Sequence, residues 1–250
     1  MIPKKIHYCW FGGNPLNDLG KKCLATWKKY FPDYEIIEWN ESNFDIHCCK
    51  YVEEAYEAKK WAFVSDYVRF QVLYEQGGVY FDTDVEVVAS FDDILERGAF
   101  MGCENKVSED KPHLAVAPGL GLAVEAGDPF IKELLDDYDK SSFLKEDGSL
   151  DLTTIVDRTT KLLKGHGLED INEIQTVAGI TIYPVDYFCP INMDTGKLVI
   201  TDNTRSIHRY AASWVDDYSK FRGKVYKLLR RVLGEKTVKK IRNLVGRKGK

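Results

Sequence analysis

The chain has 250 residues, 44% hydrophobic and 30% charged, with 19 Gly and 8 Pro. Such proportions belong to a globular protein and exclude collagen-like, low-complexity and wholly disordered chains. The net charge of −4 conceals two regions: residues 220–250 hold 13 of the 35 Lys and Arg with one acid, Glu235, while residues 1–219 carry 22 basic against 38 acidic residues. An acidic body argues against nucleic acid as a partner, and the basic end is a separate unit. No apolar run reaches the roughly 18 residues of a membrane span. Residues 1–7 lack the apolar core of an export signal, so a cytoplasmic location is expected. In that compartment the six cysteines, which form no CxxC pair, should be reduced and mostly buried.

In chain order, residues 5–11 form an apolar, aromatic run ending at Gly12-Gly13, which predicts a buried strand entering a loop. Residues 16–30 read as a helix and residues 34–39 as a second strand. Apolar residues at 61, 64, 68, 72 and 73 predict a helix over 61–76, with Gly77-Gly78 as its stop. A strand begins at Val79. Residues 101–129, rich in Gly and Pro, predict loops and short strands. Pro129 opens a helix to about residue 140, and residues 153–163 form another. Residues 179–184 read as a strand, and 206–210 as a late strand or loop. Strand–helix–strand alternation predicts an α/β domain with a parallel sheet. Residues 1–219 contain no repeat and no dividing linker, so the expected organisation is one domain over 1–219 followed by a tail over 220–250.

The sharpest motif is Asp82-Thr83-Asp84, placed where an apolar strand ends. Ligands of α/β sheets sit at the carboxyl ends of strands, and paired carboxylates there suit a hard divalent cation. Such a cation neutralises charge on a leaving diphosphate. A plain strand exposing alternate acids would show the same spacing. Val87 stands where an EF-hand loop counted from Asp82 needs Gly, which excludes that site. Upstream, Asp66 and Arg69 lie three apart on one helical face, offering a carboxylate for sugar hydroxyls and a guanidinium for anions. A surface ion pair is the plainer alternative. Gly119-Leu120-Gly121 permits close backbone approach or a simple turn. Dehydrogenase and P-loop glycine patterns are absent. His7, His47, His113 and His166 show no metal-like grouping and read as packing or surface residues.

Taken in order, Ile6-His-Tyr-Cys-Trp-Phe-Gly12, Cys23-x3-Trp27-x3-Tyr30-x-Pro32-x-Tyr34, Trp61-Ala-Phe-Val-Ser-Asp-x2-Arg69, Gly77-Gly-Val-Tyr-x-Asp-Thr-Asp84 and Ser206-Ile-His-x-Tyr-x-Ala-Ser-Trp214 resemble glycosyltransferase family 32. That family contains DXD sugar transferases of bacterial capsule synthesis and relatives of yeast mannosyltransferases. It is distantly similar to the glucosyltransferase domains of large clostridial toxins. The resemblance implies a GT-A type fold, a Rossmann-like mixed sheet flanked by helices. It also implies retaining hexosyl transfer from a UDP- or GDP-hexose to a glycan or lipid-linked acceptor, with Mn²⁺ or Mg²⁺. By motif matching, Asp66, Arg69, Asp82 and Asp84 would be catalytic, and Asp82, Asp84 and His208 would hold the metal. Trp10, Phe11, Ser65, Asp66, Arg69, Tyr80, Asp82, Ser213 and Trp214 would bind the donor. Where many members read His-His-Tyr, this chain has His208-Arg209-Tyr210.

In the tail, Phe221, Val225, Leu228, Leu229 and Val232 fall at helical spacing, with Arg and Lys on the other faces. A basic amphipathic helix reads as a membrane-surface element, here at the inner face of the membrane, or else docks on the acidic body or stays a solvated tail. Two rival functions remain. A sugar-nucleotide nucleotidyltransferase would show a Gly-rich, basic N-terminal loop, which Phe11-Gly-Gly-Asn-Pro15 matches poorly. A non-catalytic carbohydrate binder would have no use for the Asp82-x-Asp84 pair.

Overall fold

The computed structural model describes residues 1–192 and 195–211. The expectations for Ser213, Trp214, the boundary at 219 and the segment 220–250 lie outside the described residues. The elements run β1 (Lys5–Cys9), α1 (Asp18–Tyr30), β2 (Glu35–Trp39), α2 (Lys50–Glu57), α3 (Trp61–Gln76), β3 (Gly78–Tyr80), β4 (Val85–Val87), α4 (Asp92–Leu95) and β5 (Phe100–Gly102). A 3₁₀ turn (Pro118–Leu120) leads to β6 (Leu122–Val124), α5 (Pro129–Asp139), α6 (Ile155–Gly165), β7 (Gln175–Val177), β8 (Ile180–Tyr183), α7 (Val185–Phe188) and β9 (Ser206–His208).

A seven-stranded sheet has the order β2-β1-β3-β6-β5-β8-β7, and β4 and β9 form a separate antiparallel pair. The β2-β1-β3 half is parallel, because its connections pass through helices. The parallel sheet expected from the alternation is mixed, as the family resemblance implies: β6 is antiparallel to both β3 and β5, and β7 is antiparallel to β8. Between β5 and β6 the chain has only loop and a 3₁₀ turn. Without a helical crossover it returns alongside β5 in the opposite direction. The result is the mixed sheet flanked by helices that a GT-A type fold implies.

Local chemistry explains the helix limits. Asn17 caps α1 by accepting from the Gly20 N–H, and Lys28 and Lys29 close its last turn. Asp128 caps α5, with Pro129 in the first turn. Thr154 and Asp157 form a capping box at α6. At the end of α3 the Gly77 N–H donates to the Leu73 carbonyl, and φ of +61° there favours glycine. Helix α2 follows Cys49 with no side-chain cap, so no capping residue marks its start in the sequence.

Two apolar layers cover the sheet. Helices α2, α3 and α5 pack on one side, and α1 with Phe81, Phe91 and Phe188 packs on the other. On this second side α1 also ties down β4. The Trp27 indole donates to the Val85 carbonyl at 2.8 Å, Tyr30 donates to the Val88 carbonyl at 2.7 Å, and the Thr26 hydroxyl accepts from the Val87 N–H at 3.0 Å. All six cysteines are unpaired, four of them buried. Among the described residues no helix is long and apolar enough to cross a membrane.

Candidate functional site

Helix α3 is covered on most of its circumference, and the buried set includes two charged residues, Asp66 and Arg69. Charged side chains are almost never buried unless paired. Arg69 donates from Nη2 to Asp66 Oδ1 at 2.9 Å and from Nε to the Ser65 carbonyl at 3.2 Å. Its Nη1 lies 3.2 Å from Asp82 Oδ1, and its guanidinium stacks 4.6 Å over the Tyr80 ring. One guanidinium therefore joins α3 to the chain just beyond β3. The surface ion pair considered as the plainer reading does not describe this arrangement.

Asp82 and Asp84 do not stand on a strand. Residues 82–85 form a turn leading from β3 into β4, closed by the Val85 N–H donating to the Asp82 carbonyl at 3.0 Å. The Asp82 N–H donates to the Gly119 carbonyl at 3.1 Å. A Cβ on Gly119 would stand 2.0 Å from Asp82 Oδ2, so this position in the 3₁₀ turn admits only glycine without displacing the carboxylate. The flagged glycine pair thus separates into two roles. Gly119 contacts the site, whereas Gly121 takes a φ of +152° beside Phe81 and Phe100.

The β4–β9 pair supplies the third group. Val85 is in register with His208, which sets the imidazole beside the turn. His208 Nε2 lies 2.9 Å from Asp84 Oδ1, the Ala211 N–H donates to Asp84 Oδ2 at 2.7 Å, and the Arg209 N–H donates to the Asp84 carbonyl. Arg209 itself turns to Glu86, with Nε 2.6 Å from the carboxylate. One donor atom each from Asp82, Asp84 and His208 lies within 4.8 Å of the others. His208 Nδ1 is buried without a hydrogen-bond partner among the described residues. Two carboxylate oxygens and one imidazole nitrogen, on a ring whose Nδ1 has no other partner among the described residues, fit a divalent cation.

Protonation separates the carboxyls. Burial raises the Asp82 carboxyl, only partly offset by Arg69, and the neighbouring Asp84 adds to the rise. Burial also opposes ionisation of Asp84, but hydrogen bonds from His208 and Ala211 outweigh it and hold that carboxyl low. His208 is raised: burial works against its charge, and Asp84 overcomes it. Asp66 is pushed up to about 7 by burial, with Arg69 partly offsetting.

The remaining expected residues lie nearby in differing environments. Trp10 follows β1 in a half-buried loop, its indole donating to the Asn14 carbonyl at 2.6 Å. Phe11 is buried edge-on to Phe44. The Ser65 hydroxyl donates back along its helix to the Trp61 carbonyl. Tyr80 is buried beneath Arg69. His7, read as packing, is buried: Trp39 Nε1 donates to its Nδ1 at 3.0 Å, so Nε2 carries the proton and donates to the Gly77 carbonyl at 2.9 Å. Two contributors escaped the sequence reading. The Ala211 N–H is a backbone group without a residue signature. Glu104, half-buried after β5, is raised by burial and interacts with His208.

Residues 18–101 match the family described as glycosyltransferase sugar-binding region containing DXD motif. A curated relative, inositol phosphoceramide mannosyltransferase 3 of Schizosaccharomyces pombe, is 27% identical over 111 residues, 40% of this chain and 29% of the relative. The chain therefore spans under a third of that relative's length. Among solved structures, the PaToxG glycosyltransferase is similar with a TM-score of 0.48 and 21% identity, over 66% of this chain and 69% of that one. The galactosyltransferase LgtC, solved with donor and acceptor sugar analogues, is similar with a TM-score of 0.44 and 14% identity, over 90% and 94% of the two chains.

Proposed function

We propose, for a chain whose residues 18–101 carry a glycosyltransferase sugar-binding region with its DXD motif, that it transfers a hexose with retention from a UDP- or GDP-hexose to a growing surface glycan. The observation that carries this reading is the joining of two groups through Asp82. One is the Asp66–Arg69–Asp82 ion-pair chain, and the other is the Asp82–Asp84–His208 donor set. Asp82, Asp84 and His208 would hold Mn²⁺ or Mg²⁺. When bound, that ion neutralises charge on a departing diphosphate.

The chain's own residues supply the rest. Asp66 accepts or donates hydrogen bonds to sugar hydroxyls, and Arg69, immobilised on Tyr80, keeps Asp66 and Asp82 at a fixed separation. Trp10 and Phe11 line the base pocket, with Ser65 and Tyr80 supporting the donor side. Ser213 and Trp214, outside the described residues, would complete the donor site by the family resemblance. Same-face attack on an ion pair, needing no covalent nucleophile, accounts for retention. The tail holds the enzyme at the inner membrane face, near a lipid-linked acceptor.

The test is a thermal-shift screen of nucleotide-sugars with Mn²⁺, coupled to turnover by Asp84→Asn. A true donor at 100 times its Kd stabilises by about 2.7 kcal/mol. Asp84→Asn is expected to fold normally and to lose at least ~10²-fold in turnover, the cost of removing a main electrostatic group. Near-native turnover in that variant, or full turnover in excess EDTA, would end the metal assignment. A screen in which no nucleotide-sugar shifts the transition would end the donor assignment.

A further inference from the structure

We infer that the groove between residues 113–115 and α6 binds a neutral sugar unit of the acceptor, an inference that rests on the transfer reading above. The groove is open to solvent and has a volume of about 450 Å³, within the range of roughly 300–1,000 Å³ typical of small-molecule sites. Its lining is part apolar, from Leu114, Ala115 and Val156, and part polar, from Asp157, Thr160 and Lys161. Apolar patches meet the C–H faces of a pyranose, while donors and acceptors meet its hydroxyls.

Charge selects the class of ligand. Lys161 and Lys164 are balanced by Asp157 and Asp170. Lys164 lies 2.6 Å from Asp170, and His113 Nδ1 lies 2.9 Å from the same carboxylate. Asp157 spends one oxygen on the α6 cap. A site for a phosphate would show surplus positive charge. This one is formally neutral, which favours an uncharged sugar.

Position selects the role. The segment forming one wall is fixed on both sides: the Glu104 N–H donates to the Ala115 carbonyl at 2.9 Å, and the Val116 N–H donates to Thr160 Oγ1 at 2.9 Å. The same segment continues to Gly119, whose carbonyl accepts from Asp82. Four residues of chain span at most about 14 Å, so a short oligosaccharide seated in the groove reaches the reacting centre.

Saturation-transfer difference NMR on the full chain tests this, with methyl glycosides of common hexoses as the neutral probes and hexose 1-phosphates as the anionic arm. Neutral glycosides are expected to receive saturation. Ala115→Tyr should abolish the signal by filling the groove. Lys161→Ala, an exposed substitution that keeps the fold, should weaken binding about fivefold, the worth of one hydrogen bond. Nucleotide-sugar hydrolysis should be unchanged in both variants. Binding unaltered in Lys161→Ala, no neutral glycoside bound by the wild type, or preference for the 1-phosphates would each overturn the assignment. A protein that binds glycosides in the groove but turns over no nucleotide-sugar upholds the groove and refutes the transfer reading instead.

Discussion

Arg69 is the residue on which the site's geometry turns. It is buried, pairs with Asp66 and Asp82 together, and leans on Tyr80. A lysine keeps the charge but offers one point where the site uses a planar fork. Arg69→Lys is expected to lower kcat/KM by at least ~10-fold, about 1.4 kcal/mol of transition-state stabilisation. Steady-state kinetics with the transition temperature measured in parallel separates this from unfolding, and wild-type kinetics would make Arg69 a packing residue. The i, i+3 spacing of Asp66 and Arg69 was legible in the sequence. Their burial was not, because helical spacing fixes which residues share a face and leaves open what covers that face.

Among the elements, the 3₁₀ turn and β1 make the sharpest claims. Gly119→Ala places a methyl 2.0 Å from Asp82 Oδ2 and 2.8 Å from its Cγ. Overpacking of this kind costs about 1–3 kcal/mol. Displacing a site group by about 1 Å can cost ~10² in rate, so kcat should fall far more than stability. A fall in melting temperature with kcat preserved would show that Asp82 tolerates movement. His7 pins β1 to the end of α3 and to Trp39 of β2. Burial lowers its pKa from 6.5 to about 4. Between those values the unfolded chain binds the proton and the folded chain does not, so stability falls as pH drops through this window. Integrated over the window, the loss is about 3 kcal/mol. Urea denaturation at several pH values from 7 to 4 should show this slope in the wild type and lose it in His7→Gln. An equal slope in the variant would assign the acid limb to other groups.

For the whole molecule, charge asymmetry is the governing property. Residues 220–250 hold 13 basic residues and one acid against an acidic remainder. Membrane binding through this segment would draw about 1 kcal/mol per basic residue from anionic lipid and weaken as salt shortens the screening length. Flotation of the full chain with liposomes is expected to depend on anionic lipid and to disappear on deletion of residues 220–250, while donor hydrolysis persists. Protein that stays unbound with both lipid compositions would remove the membrane role, and loss of soluble expression on deletion would favour docking on the body.

The sequence by itself determined the α/β class, the start and stop of α3, the opening of α5 at Pro129, a helix near 153–163, and the carboxylate pair at the end of β3. Each follows from local chemistry: Gly77 ends a helix, Pro129 marks a helix start, and hydrophobic period sets element type. Tertiary structure alone decided that β6 runs antiparallel, that Gly119 seats Asp82, and that the β4–β9 register is what sets His208, already grouped with Asp84 by the family resemblance, beside that carboxylate. Those contacts join residues distant in the chain, and no local pattern encodes a pairing whose energy arises only once the sheet has formed.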